Sequence, residues 1–279
     1  MAIDISKRIR NVYPGLSKSH KRIANIVLRE PEKVKEYPCS SLAIAAETSE
    51  STVLRFVSTI GYDSYTQFRE AIYNEIQSRM DLSDKVVRAT SGVMNADLMK
   101  KTINLDVNNL KYTLEHIDPY AFCAVVDFSI KSKRKYIVAF GNDALPAKLL
   151  FDNFVAIFED VTLITSSDDY FAHLLSLTKY DQVIIFSISA KSKGLIGLTR
   201  FIKSKNANIT VIANNESVQL AEFADCVIVA KAETPSFAES YVSTFSLINA
   251  LTLEIVRKDR VRITARYKQI QKLRADFAK

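Results

Sequence analysis

Glycine is scarce in this chain, with six among 279 residues, where average usage near 7% would give about twenty. A Walker loop and a G-x-G-x-x-G fingerprint both need closely spaced glycines, and neither can be assembled from these six. Nucleotide-dependent chemistry therefore loses most of its support. Cysteine and histidine number three each and lie far apart, at Cys39, Cys123, Cys226, His20, His116 and His173, with no C-x-x-C pair. No zinc or disulfide framework fits that spacing, and no metal or cofactor is expected. Long apolar runs are missing as well. The longest, Ala121 to Ile130, is broken by Asp127 and falls short of the ~20 residues a spanning helix requires. The first residues run directly into Asp4, Lys7, Arg8 and Arg10, unlike a secretory signal. The expectation is a cytoplasmic protein with no membrane partner.

What remains is ample for a globular protein: 48% apolar residues and a net charge of +7. The excess sits at the two ends. Lys and Arg outnumber Asp and Glu by 12 to 9 in residues 1–80 and by 9 to 3 in residues 254–279, whereas residues 134–253 are slightly acidic at 10 to 12. Apolar residues recur every three or four positions up to about Met80, interrupted by Pro14-Gly15, Pro31, Pro38 and Gly61, which predicts a helical domain over residues 1–80. Residues 81–96 read as a polar linker. From 97 to 279 two helical stretches precede five β-branched runs, at Tyr136–Phe140, Val161–Thr165, Gln182–Phe186, Asn208–Ala213 and Cys226–Ala230. Helical segments alternate with them near Leu145–Phe158, Tyr170–Leu177, Leu195–Lys205 and Val218–Phe223. Continuous apolar strands alternating with helices predict an α/β doubly wound parallel sheet. A last helix is expected from Leu251 to Lys279.

Within the first domain, Ser41 to Phe56 has helix-turn-helix spacing. Ala43 is small where a second helix must cross, Leu42, Ala46, Val53 and Phe56 can lock the pair, and Ser49 can cap the second helix. Glu47 falls where glycine usually permits a positive φ. With Val53, Phe56, Val57 and Ile60 turned inward, Ser51, Thr52, Arg55, Ser58 and Thr59 share the outer face. Such a face suits a DNA major groove. Ser49, Glu50, Ser51, Thr52, Arg55 and Ser58 are the candidate contacts there, with Lys18, Lys21 and Arg22 on an earlier helix for the phosphate backbone.

The run Ser49-x-Ser51-Thr52-Val53-Leu54-Arg55-Phe56, followed by Ile60-Gly61-Tyr62, Tyr65 and Gln67-Phe68-Arg69, resembles the DNA-binding domain of the RpiR family of bacterial transcriptional regulators. That resemblance implies a second domain of the sugar isomerase (SIS) type, in which a phosphorylated sugar sits at the carboxyl ends of the strands. The loop Ser187-Ile188-Ser189-Ala190-Lys191-Ser192 is similar to the family's Ser-x-Ser-Gly-x-Thr element, with Ala190 in the glycine place. After the first strand the family's Gly-x-Gly-x-Ser is replaced by Gly141-Asn142-Asp143-Ala144-Leu145, where Asp143 is expected to repel a phosphate. Gly141, Asn142, Asp143, Ser187, Ser189, Lys191, Ser192 and Glu239 are the effector-site candidates. Either the ligand is less anionic than a phosphosugar, or the domain serves mainly to dimerise.

The implied function is a non-enzymatic regulator of sugar or aminosugar metabolism, with repression the expected mode. It would answer a phosphosugar-like effector and bind an inverted-repeat operator in double-stranded DNA as a homodimer or homotetramer. Two alternatives stand beside it, a sugar-phosphate isomerase and an oligomerisation scaffold. Isomerisation would need a base, for which Glu233, Glu239, Asp168, Asp169 and His173 are available.

Overall fold

The computed structural model describes residues 5–79, 95–166, 170–189, 193–215, 219–234 and 238–277. The chain divides into two compact units, Met1–Val87 and Arg88–Lys279. Most of the expected linker at 81–96 lies outside the described residues. Its last two positions already belong to a helix.

Among its described residues the first unit has only helices: α1 (Ile5–Val12), α2 (Lys18–Arg29), α3 (Pro31–Val34), α4 (Cys39–Ala45), α5 (Glu50–Thr59) and α6 (Tyr65–Arg79). Its core gathers Ile9, Ile23, Ala24, Val27, Leu42, Ala43, Val53, Phe56, Phe68 and Ile72, the apolar stripe that each helix carries at 3.6-residue period. Phe56 is fully buried and meets the rings of His20 at 5.6 Å and Phe68 at 6.4 Å edge-on, an arrangement aromatic quadrupoles favour.

The second unit begins with α7 (Asn95–His116) and α8 (Pro119–Lys131), then alternates β1 (Lys135–Val138), α9 (Ala144–Ile157), β2 (Val161–Ile164), α10 (Tyr170–Leu175), β3 (Gln182–Ser187), α11 (Lys193–Ser204), β4 (Asn208–Ala213) and β5 (Cys226–Val229). The five strands are parallel in the order β2-β1-β3-β4-β5. Every residue of β3 is buried, because the sheet is covered on both sides. Ile184 and Phe186 pack with Val126, Leu150 and Phe154 on one face. Val183 and Ile185 pack with Leu174, Leu198 and Ile202 on the other. Period-two alternation along the apolar middle of this strand feeds two cores at once.

Two expectations change. The segment near Val218–Phe223 is only one 3-10 turn at Gln219–Glu222; a short apolar stretch there need not carry a full helix. The C-terminal helix expected from Leu251 is instead two, α12 (Val242–Lys258) and α13 (Arg260–Phe277). Asp259, with φ −120 and ψ 38, ends α12, and its carboxylate pairs with Arg262 one turn into α13.

A buried ion pair fixes one edge of this unit. Asp181, fully buried just before β3, takes two hydrogen bonds from Arg134 at 2.7 and 3.0 Å and two from Thr178 at 2.8 and 2.9 Å. Burial alone would push its carboxyl up. The Arg134 and Thr178 donors outweigh burial and hold it below the usual carboxylate value.

Candidate functional sites

The α4–α5 pair is built from its turn outward. Two residues after the end of α4, Glu47 takes φ +49, and Thr48 N donates to Ala43 O at 2.9 Å while Glu47 N donates to Ile44 O at 3.0 Å. This is a Schellman-type stop with a non-glycine residue in the left-handed position. Glu47 is held there by Arg22, which donates to its carbonyl at 2.8 Å and its carboxylate at 3.3 Å. Arg22 is thus engaged with the turn. Lys18 is exposed at the start of α2, and Lys21 reaches Pro14 O at 3.4 Å across the Tyr13 ring.

Ser49 caps α5, its Oγ accepting from Thr52 N at 3.3 Å and lying 2.9 Å from both the Ser51 and Thr52 hydroxyls. Val53, Phe56, Val57 and Ile60 face the core, whereas Glu50, Ser51, Arg55, Ser58 and Thr59 are exposed and Thr52 half-buried. Arg55 lies along this ridge, donating to Ser51 O at 3.2 Å and Thr52 Oγ1 at 3.4 Å. Its guanidinium has further N–H groups to offer. Beneath it, burial and then the Arg55 charge lower the His20 pKa. The far end of α5 closes on Gly61, at φ +85, whose carbonyl accepts from Arg8 at 3.0 Å. Arg8 also donates to Ile60 O at 3.1 Å and lies over the Tyr62 ring. Sequence reasoning missed this clamp. A basic residue on the first helix gave no sign that it would fold back onto the end of the fifth.

In the second unit strand order reverses between β1 and β3, the place where open α/β sheets leave a crevice at their carboxyl ends. Loops after these two strands meet there. Gly141 turns the chain with φ +61 and, with Asn142, is exposed. Asp143 follows at the head of α9, yet its side chain makes no cap to that helix. It reaches across to the β3 loop. Its carboxylate accepts from Ile188 N at 3.1 Å, from Ser189 N at 3.1 and 3.2 Å, from Ser189 Oγ at 3.1 Å and from Tyr241 Oη at 2.7 Å.

Asp143, expected to repel a phosphate, is buried, at 2% exposure, and holds the Ile188 and Ser189 donors of the loop. Burial raises its carboxyl pKa, and the Tyr241, Ser189 and Ile188 donors work against that shift. A second negative charge 4 Å away would meet a repulsion of about 4 kcal/mol at an effective dielectric near 20. Ser187 is buried at the end of β3 rather than displayed in the loop. Lys191 and Ser192 lie outside the described residues, as do the base candidates Asp168 and Asp169. Glu239 is half-buried, and its charge, after burial and Asp143, helps raise the Tyr241 phenol. Glu233 pairs with Lys231 at 3.1 Å, and His173 is exposed on α10. Tyr241 was not expected; it is about a hundred residues from Asp143, and no local pattern marks it.

A helix-turn-helix DNA-binding unit joined to a doubly wound parallel α/β unit is the class that these features define. Residues 3–79 match the model of the rpiR-family helix-turn-helix domain, and residues 130–254 match the SIS domain. The chain belongs to the RpiR family of transcriptional regulators. It is 24% identical over 81% of its length to an uncharacterized HTH-type transcriptional regulator of Haemophilus influenzae, covering 79% of that protein. Among solved structures, the Vibrio vulnificus NanR protein complexed with ManNAc-6P is similar over 96% of this chain and 97% of its own, with a TM-score of 0.60 at 18% identity. The sugar isomerase domain of an RpiR transcription factor from Sphaerobacter thermophilus covers 63% of this chain and 98% of its own, again with a TM-score of 0.60, at 20% identity. Among the described residues no helix is long and apolar enough to cross a membrane.

Proposed function

We propose that this RpiR-family regulator acts in the cytoplasm as a repressor of genes for sugar or aminosugar use. It binds an inverted-repeat operator as a homodimer or homotetramer and senses a sugar derivative through its SIS unit. The observation that carries the reading is the outer ridge of α5, where Ser51, Arg55 and Ser58 are exposed while Val53, Phe56 and Val57 on the opposite side fill the core. A helix docked by one face and polar on the other can enter a major groove without disturbing the fold. Ser51, Thr52 and Arg55 read base edges or phosphates, Ser49 and Glu50 sit at the helix start, and Lys18 and Lys21 contact the backbone. Arg22 acts mainly by holding the turn.

The sugar site is the crevice between the β1 and β3 loops, with Gly141, Asn142, Ser189 and Glu239 around it. Ligand binding shifts the population between forms that fit the operator well and poorly. The ManNAc part of ManNAc-6P, the ligand in the NanR complex, is the model for an effector of this chemical kind. A non-enzymatic role agrees with the engagement of two of the carboxylates: Asp143 is held by four donors and Glu233 pairs with Lys231, so neither is a free base. Genome-wide footprinting of the tagged protein tests the assignment. Sites beside carbohydrate transport or catabolic genes are expected, with protection lost in Arg55→Ala; no reproducible sites would overturn it.

A further inference from the structure

We infer that Asp143 is a built-in anion occupying the phosphate seat of the SIS unit, so that this regulator recognises a hydroxyl-rich sugar without binding a phosphate group there. The inference rests on the sugar-sensing reading and narrows its ligand class.

Three observations converge. The backbone N–H groups of Ile188 and Ser189 and the Ser189 hydroxyl leave β3 at the switch point of the sheet, where an anion would be received. All three end on the Asp143 carboxylate, and Tyr241 closes the set with a 2.7 Å hydrogen bond. Each carboxylate oxygen accepts at least two of these donors, so the group is fixed in place as a bound anion would be. The opposite loop offers a phosphate few side-chain groups in return: Leu145, 64% exposed at the start of α9, has no side-chain donor, and Gly141 and Asn142 bring no charge. A dianion entering the crevice would have to displace a buried, fully hydrogen-bonded carboxylate or sit against it. A neutral sugar meets neither obstacle, and its hydroxyls can pair with Asn142 and Glu239.

Calorimetric titration of the full chain with N-acetylmannosamine, ManNAc-6P, glucose, glucose 6-phosphate and inorganic phosphate tests this. In the unmodified protein each phosphorylated sugar is expected to bind no more than about threefold better than its free partner, and inorganic phosphate is expected to give no heat. Asp143→Gly empties the seat, and Asp143→Asn keeps its shape while removing the charge. In whichever variant circular dichroism shows to be folded, ManNAc-6P and inorganic phosphate are expected to gain about tenfold or more. A preference of about tenfold or more for phosphorylated sugars in the unmodified protein would overturn the inference. So would failure of folded variants to gain phosphate affinity, since the vacated donors would then form no phosphate seat. The unmodified protein decides the first point without any variant. Gel-shift assays on footprinted operator fragments, run with the same preparations, read the regulator assignment separately: lost DNA binding sinks that assignment and leaves the titrations interpretable.

Discussion

Both units carry a serine-rich helix entrance, at Ser49–Thr52 before α5 and at Ser187–Ser192 before α11, yet tertiary structure sends them in opposite directions. In the first unit, Ser49 is consumed locally as a cap, and the rest of the ridge stands in solvent with Arg55 laid along it. In the second, donors of the loop turn inward onto Asp143, a residue that precedes them by more than forty positions. Similar residue types therefore give an open surface in one place and an internally satisfied site in the other. A hydroxyl or N–H counts as a binding group only after its intramolecular partners are known.

The sharpest way to break this comparison is to damage one unit and watch the other. Phe56→Ala removes a fully buried ring from the helical core and should cost about 3–5 kcal/mol. Denaturant unfolding is expected to show loss of the helical transition and of DNA binding, while ManNAc or ManNAc-6P titration of the SIS unit persists. Loss of both together would show that the ridge and the crevice are not separate devices.

The Arg134–Asp181 pair sharpens the second half. Arg134→Met leaves a buried carboxylate without its cation and should destabilise the SIS unit by about 3 kcal/mol, toward the lower end for a broken buried pair because the Thr178 donors remain. Its pH dependence follows in sign. The folded carboxyl titrates below its unfolded value near 3.9, so the pair stabilises fully above about pH 5 and its contribution is lost as pH falls through the folded value. Thermal unfolding between about pH 6 and pH 2 should therefore show the gap between the unmodified chain and Arg134→Met shrinking with acid. A gap independent of pH would place the pair's effect in packing alone.

Arg55→Ala tests the open ridge itself. Operator binding should weaken by about 1–3 kcal/mol with the melting temperature almost unmoved, because Arg55 is exposed. Equal losses of folding and binding would make Arg55 a structural residue. The smallest effect is expected at the turn. Glu47→Gly relieves a left-handed backbone and keeps the Arg22 bond to the carbonyl, giving up only the exposed Arg22–carboxylate contact, for a net gain of about 0.5–1 kcal/mol. A loss on chemical denaturation would mean that the Arg22–Glu47 contact outweighs the backbone strain.

Much of the fold was legible along the chain, for a physical reason in each case. The strand Asn208–Ala213 is observed with the expected limits, and the other four differ by a residue or two, because β-branched apolar runs between helical segments have few other ways to bury themselves. The turn at Glu47 was legible only as a place where glycine usually permits a positive φ; that Glu47 itself takes φ +49 was not, because the Arg22 contact that holds it comes from another helix. The C-terminal break at Asp259 was not: a polar residue within a helical period carries no local mark of termination.

The order of elements, the inward stripe of α5 and its polar outer ridge were thus determined by the sequence, because periodicity and capping act over a few neighbouring residues. What only the tertiary structure decided is which polar groups were left available. Arg22 joined a turn twenty-five residues on, Arg8 clamped Gly61, and Asp143 met Ser189 and Tyr241 across the sheet's switch point. Hydrogen bonds between distant segments form only once packing brings their donors and acceptors within about 3 Å of each other, and no spacing along the chain encodes that distance.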